Sequence, residues 1–132
     1  MSRENVEVVR GAWSAYTDRG IDAALDYYSE DCVCEDLPEL PDRATYQGRE
    51  GLWERNRHFV EIWGDFMAEA VEFIDAGDVV VAVIAMHGRG KGSGAPFDLL
   101  PYFVYEVRDD SIVRDRAFTS KAQALEAAGL SE

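Results

Sequence analysis

Hydrophobic positions near the start of the chain recur at spacings of three and four. Val6, Val9, Trp13 and Tyr16 follow this rhythm, which predicts an amphipathic helix. Ser2 suits its N-cap, Glu4 suits the first turn, and Arg19-Gly20 reads as last turn and stop. A short second helix is expected next, with Ile21, Ala24, Leu25 and Tyr28 as its apolar face. From 31 to 36 the pattern turns strand-like, and Pro38 and Pro41 then bracket a loop reaching Gly48. A third helix is predicted over 49–63, with Leu52, Trp53, Phe59, Ile62 and Trp63 apolar.

The second half reads as strands. One spans 66–75, Ala76-Gly77-Asp78 makes a tight turn, and 79–86 is an unbroken apolar run of the kind covered on both faces. A glycine-laced stretch over 87–96 leads into a strand over 97–108, a turn at Asp109-Asp110-Ser111 and a last strand over 112–118. Ser120 and Gln123 form a capping box for a closing helix that stops at Gly129. Helices first and hairpin-connected strands after predict an α+β fold: a curved antiparallel sheet wrapped around the N-terminal and central helices, with a cone-shaped pocket between them. Without repeats or linkers, residues 1–132 form one domain, and that length buries roughly two-thirds of the unfolded surface.

Strand alternation sorts side chains by face, because a charged residue marks the side its neighbours avoid. Arg114 and Arg116 outward send Val113, Asp115 and Ala117 inward; Glu106 outward sends Phe103, Tyr105 and Val107 inward. His87, Arg89 and Lys91 share one parity, leaving Val80, Ala82, Ile84 and Met86 on the other. Glu35 outward places Cys32, Cys34 and Asp36 inside.

Charge narrows the partners. Asp and Glu number 26 against 13 Lys and Arg, a net −13, which repels phosphate backbones and anionic lipid. No nucleic-acid or membrane partner is expected, and no run approaches the ~20 apolar residues of a membrane span. The N-terminal residues lack the pattern of a secretion signal, so the expected location is cytoplasmic. Two Cys and two distant His are too few for a metal site, and none is expected. Because the run over 79–86 needs cover on its second face, a homodimer is expected.

Two carboxylates fall on the inward lists, Asp115 and Asp36. A carboxylate against an apolar wall must find a hydrogen-bond partner, meet solvent or have its pKa raised, and a raised carboxylate can act as general acid or base. The plainer alternatives are that Asp115 pairs with another residue such as Arg49 or sits at a wet rim, and that Asp36 caps the nearby loop. Tyr16 and Tyr105 can donate a phenolic hydrogen bond to a ligand carbonyl. Trp13, Trp53, Phe59 and Trp63 are helix packing residues that also supply ligand contacts, joined by Cys34, Met86, Phe103 and Tyr105 on the inward strand faces. His87 reads as an outer-face residue, and His58, between Arg57 and Phe59, has no visible partner. The glycines of 88–94 are not a phosphate loop, because Pro96 and a strand follow where a helix N-terminus is required.

Several segments together resemble the SnoaL-like branch of the NTF2-like superfamily. They are Ser2-Arg3-Glu4-Asn5-Val6, Asp22-Ala23-Ala24-Leu25, Thr45-Tyr46-Gln47-Gly48-Arg49-Glu50-Gly51, Phe73-Ile74-Asp75-Ala76-Gly77-Asp78 and Ala124-Leu125-Glu126-Ala127-Ala128-Gly129-Leu130. The resemblance implies a cupped sheet, an apolar pocket, a homodimer through the outer sheet face, and chemistry without metal or organic cofactor. It places Asp115 where related cyclases carry an acid/base residue on the last strand, and Tyr16 and Asp36 near the oxyanion tyrosine and base of related isomerases. Phe103 departs from the pattern, standing where isomerases carry a protonated acid. An epoxide-hydrolase relay would need an inward arginine, and the inward lists contain none. The expected function is binding of a small apolar carbonyl compound, with Asp115 moving a proton next to the carbonyl and Tyr16 or Asp36 assisting. The alternative is a non-catalytic ligand-binding or dimerisation module of the same fold.

Overall fold

The computed structural model describes residues 2–37, 44–63 and 65–130. The expected loop between Pro38 and Pro41 lies outside the described residues. Helix α1 (Ser2–Arg19) buries Val9, Ala12 and Ala15 along one face. Helix α2 (Ile21–Ala24) is shorter than expected: it tightens into a single 3-10 turn (Leu25–Tyr27), and Tyr28 already opens strand β1 (Tyr28–Glu35). Tyr28 is therefore a buried sheet residue rather than the end of a helical face.

Strand β2 (Thr45–Gln47), unforeseen in the sequence, pairs with β1 and leads directly into α3 (Gly48–Trp63). The junction needs glycine. Gly48 has a φ of 71°, and a Cβ there would stand 2.9 Å from the carbonyl oxygen of Glu30. Strands β3 (Asp65–Asp75) and β4 (Val79–Arg89) form the expected hairpin, in which Gly77 N–H donates to Asp75 Oδ1 at 2.9 Å. The strand expected over 97–108 is two strands, β5 (Pro96–Leu99) and β6 (Tyr102–Arg108), split at Leu100-Pro101. Pro101 has no N–H to give a ladder, so pairing with β4 stops and resumes around it. A two-residue turn with left-handed Asp109 and Asp110 (φ 51° and 64°) returns the chain into β7 (Ser111–Phe118), and Ser120 caps the closing helix α4 (Lys121–Ala127) through its Oγ.

The strand order is β2-β1-β7-β6-β4-β3, with β5 beside β4. The sheet is mixed rather than purely antiparallel, because β1 and β7 pair in parallel. Hairpins force antiparallel neighbours; β1 and β7 come from opposite ends of the chain, with a long crossover between them, and nothing local sets their direction.

One face of the sheet packs Cys32, Cys34, Val80, Ala82, Ile84, Phe103, Tyr105, Val107 and Ala117 towards α1 and α3, as the alternation predicted. Val113 is the exception. A bulge between the Glu106 and Val107 pairs makes Val113 the extra residue and turns Ile112 into the core instead. On the other face Val81 and Val104 pack against Ala124 and Ala128 beside α4. Part of the second-face cover inferred for a partner copy thus comes from the chain's own closing helix. Arg114 and Arg116 point outward as expected, Arg114 bonding Glu35 at 2.8 Å and Glu106 at 3.2 Å.

Candidate functional site

The curve of the sheet and the two long helices enclose a cavity of about 990 Å³. Its walls are mostly apolar and rich in aromatic rings. Trp13 lies 5.7 Å from Phe103, centroid to centroid, and Phe103 stacks on Tyr105 at 6.1 Å. Phe59 meets Phe66 edge-on at 4.6 Å, and Trp63 meets Phe97 at 4.3 Å. These contacts join α1, α3 and the sheet into a continuous apolar wall, with each ring held by another.

One stretch of that wall is polar. Asp115, on β7, is 0% exposed and receives a two-pronged hydrogen bond from Arg55 on α3, at 2.7 Å (Nη1 to Oδ1) and 2.9 Å (Nη2 to Oδ2). Tyr28 hydroxyl donates to Asp115 Oδ2 at 3.2 Å. Beside them Trp13 Nε1 donates to the Tyr105 hydroxyl at 2.9 Å, and Tyr16 hydroxyl donates to Asn56 Oδ1 at 2.6 Å. A fully desolvated carboxylate is stable only when its lone pairs are taken up this way.

The electrostatics follow from burial and this pairing. Burial opposes the charge on Arg55, yet the Asp115 carboxylate holds its guanidinium well above the ordinary arginine range. Burial pushes the phenols of Tyr28 and Tyr105 well up, with the Asp115 charge adding to the shift. Burial likewise pushes Tyr16 up to about 12, partly offset by Arg55. All three remain neutral hydrogen-bonding phenols at neutral pH. The thiol of Cys34 is pushed up by its hydrogen bond with Cys32 and by burial.

Of the residues singled out from sequence, Tyr16, Asp36, Trp13, Phe59, Trp63, Met86, Phe103 and Tyr105 line the cavity. Cys34 and Trp53 do not. Cys34 is 0% exposed, sealed behind the inner sheet face, and both cysteines are free thiols. Trp53 is 41% exposed on the outer side of α3, under the guanidinium of Arg57. Asp115 faces inward as expected, but its partner is Arg55 and not Arg49, whose Nε donates to the Tyr28 carbonyl at 2.9 Å. With no exposed surface of its own, Asp115 stands behind the cavity wall. Asp36 bridges the ends of its loop, its Oδ2 accepting from Ala44 N–H at 3.2 Å. His58 has neighbours after all: the Tyr46 hydroxyl at 3.5 Å and Glu54 at 3.7 Å. His87 lies exposed, as expected.

Arg55 and Asn56 were missed in the sequence. Leu52, Arg55, Asn56, Phe59 and Trp63 all line the cavity, spaced three and four apart along α3. Counting from Leu52 and Phe59 places Arg55 on the inner stripe and Trp53 off it. Treating a charged residue as outward hid that stripe. Among the described residues no three His, Cys, Asp or Glu side chains come together as a metal-ligand set, and no helix is long and apolar enough to cross a membrane.

A family model for the SnoaL-like domain matches residues 9–115, from the buried face of α1 to Asp115 itself. The chain belongs to the SnoaL-like domain family. Solved structures carry the same fold at low identity. An NTF2-like protein from Burkholderia thailandensis superposes with a TM-score of 0.80 at 22% identity, over 92% of this chain and 96% of that one. A hypothetical protein of ketosteroid isomerase-like fold from Catenulispora acidiphila, in complex with trimethylamine, gives 0.73 at 22% identity, over 94% and 93%. A Mycobacterium tuberculosis protein in complex with estradiol-17beta-hemisuccinate gives 0.70 at 16% identity, over 86% and 92%. No curated protein matches the sequence. The family thus accounts for this SnoaL-like domain's cupped α+β architecture.

Proposed function

We propose that this SnoaL-like domain binds a small, largely apolar molecule carrying a carbonyl group, with the apolar body against the aromatic walls and the oxygen at the Arg55–Asn56 stretch. The observation that carries the reading is the make-up of the cavity. About 990 Å³ is room for a molecule of several fused rings, and an apolar lining with few convergent polar groups is the usual form of a small-molecule site. Proteins of the same fold solved in complex with estradiol-17beta-hemisuccinate and with trimethylamine support a small organic molecule as the class of ligand. The test is a thermal-shift screen against neutral polycyclic ketones. Binders must raise the melting temperature in a concentration-dependent way, because they bind the folded state alone. A screen without one stabiliser at ligand concentrations near saturation would leave a scaffold role instead.

A second reading, favoured by Asp36 and Tyr16 both lining the cavity, is cyclase- or isomerase-type proton transfer beside that carbonyl without a cofactor. In it Asp36 takes the proton. Tyr16, already committed to Asn56, supports the oxygen-binding stretch. Asp115 contributes a fixed charge, since a carboxylate locked to Arg55 has no access to substrate. Asp36→Asn losing turnover while still binding ketone would support it; unchanged turnover would remove it. Met67, 66% exposed on edge strand β3, and Val71 nearby leave apolar area for self-association through the outer sheet face, which sedimentation at micromolar concentration checks. Buried free thiols at Cys32 and Cys34 fit a reducing, cytoplasmic setting.

A further inference from the structure

We infer that the Arg55–Asp115 pair sets the charge class of the ligand: Arg55 hydrogen-bonds a neutral acceptor oxygen, and Asp115, out of reach behind it, positions the guanidinium and cancels its charge so that carboxylates are refused. This rests on the cavity being a ligand site and adds the basis of its selectivity.

An arginine at the polar end of an apolar cavity ordinarily selects for carboxylates or phosphates, with which it forms a two-pronged pair. Here that pairing is already taken. Asp115 occupies the fork at 2.7 and 2.9 Å and is fully buried, so neither water nor ligand displaces it without moving β7. The fork uses Nη1 and Nη2 towards Asp115; Nε–H and the outer Nη hydrogens have no partner among the described residues. Arg55 keeps 19% of its side chain exposed, and it lines the cavity, so these donors are presented there. Asn56, next along α3, accepts Tyr16 through Oδ1 and has its amide N–H groups unengaged by any described residue. The result is a cluster of donors with almost no net charge.

A ketone oxygen gains hydrogen bonds there at little desolvation cost. A carboxylate would lose its hydration beside a guanidinium already neutralised, with the Asp115 charge behind it and no second cation to compensate. Among the described lining residues Arg55 is the only Arg or Lys, whereas Asp36 and Asp98 also lie on the wall. The protein's net charge of −13 acts in the same direction.

Three aromatic probes of similar size separate the possibilities: naphthyl methyl ketone, naphthoate and ethylnaphthalene, titrated by intrinsic Trp fluorescence or calorimetry. The wild-type chain should bind the ketone about tenfold tighter than ethylnaphthalene, the value of a hydrogen bond to a charged donor, and naphthoate at least about tenfold weaker than the ketone. Asp115→Asn, with its fold checked by circular dichroism, frees the positive charge and should shift the naphthoate-to-ketone affinity ratio towards naphthoate by about tenfold or more. A purely structural Asp115 would weaken all three probes together and leave that ratio fixed, which overturns the assignment. Arg55→Met combined with Asp115→Asn should bring ketone and ethylnaphthalene within about twofold of each other. Should Asp115→Asn fail to fold, the wild-type order decides: naphthoate binding as tightly as the ketone refutes the proposal outright. Equal binding of ketone and ethylnaphthalene removes Arg55 as anchor but leaves the cavity a ligand site. Binding of none of the three removes the ligand-site reading and this proposal with it.

Discussion

Removing the Arg55–Asp115 pair whole should cost clearly less than the two single losses added together. Asp115 is 0% exposed and Arg55 is 19% exposed, so Arg55→Met strands a buried carboxylate whose remaining side-chain donor among the described residues is the Tyr28 hydroxyl. Removing one partner of a buried pair costs about 3–5 kcal/mol. Asp115→Asn leaves a guanidinium that can still reach the cavity and its water, so its cost should fall lower, about 2–4 kcal/mol. Two charge centres about 4 Å apart attract by ~4 kcal/mol at the effective dielectric suited to protein sites, which bounds what the pair can return against the cost of desolvating both.

The two single variants and the double Arg55→Met, Asp115→Asn form a thermodynamic cycle, read by urea unfolding followed by circular dichroism. If the pair is coupled as the geometry demands, the double variant should be more stable than the sum of the single costs implies, by about 2–3 kcal/mol. Additive costs, or an Arg55→Met penalty below about 1 kcal/mol, would mean that water or another cation compensates Asp115. The description of the polar wall would then be wrong.

Further outcomes follow from other parts of the fold. Gly48→Ala forces a side chain into left-handed backbone against the Glu30 carbonyl, and should lower stability by about 1–3 kcal/mol, seen as a drop in Tm; an unchanged Tm would show that the β2–α3 junction relaxes freely. Trp63→Ala should weaken binding of naphthyl methyl ketone severalfold and Trp53→Ala should not, since only Trp63 faces the cavity; equal effects would misplace α3. Tyr16, Tyr28 and Tyr105 have folded pKa values raised above those of the unfolded chain, so the folded state holds more protons as pH climbs past the ordinary tyrosine range. Their contribution to stability is complete below pH ~10 and falls as pH rises above it, through about 12 for Tyr16 and higher still for Tyr28 and Tyr105, so phenolate absorbance from the two fully buried phenols should appear only with unfolding. Full phenolate development in a chain that keeps its native dichroism would contradict their burial.

Most of the cone was legible because strand alternation is a strict rule with a period of two. From Glu35, Glu106 and Arg114 alone the inner positions of Cys32, Cys34, Phe103, Tyr105, Ala117 and Asp115 follow, and the burial agrees. Alternation failed where the backbone broke step: the bulge that expels Val113 and the 3-10 turn that hands Tyr28 to the sheet have no signature in side-chain type. The parallel pairing of β1 with β7 was equally hidden, being a contact between chain ends. On α3 the error was different in kind. The periodicity carried the answer, but a rule that holds for solvent-facing helices was applied to one whose inner stripe contains a charge.

That stripe also explains why an acid predicted to be poised for proton transfer is found locked. An inward carboxylate on a sheet is tolerated in an apolar cone only if the element facing it supplies the compensating charge, and the facing element here is α3. Arg55 lies three residues after Leu52 and four before Phe59, so the packing that inserts α3 into the cone also delivers its guanidinium to β7. The acid and its counter-ion are therefore set by one docking event, and neither is optional while the other remains. With Asp115 sealed behind that wall, the polar groups that α3 presents to the cavity are the guanidinium donors of Arg55 and the amide of Asn56.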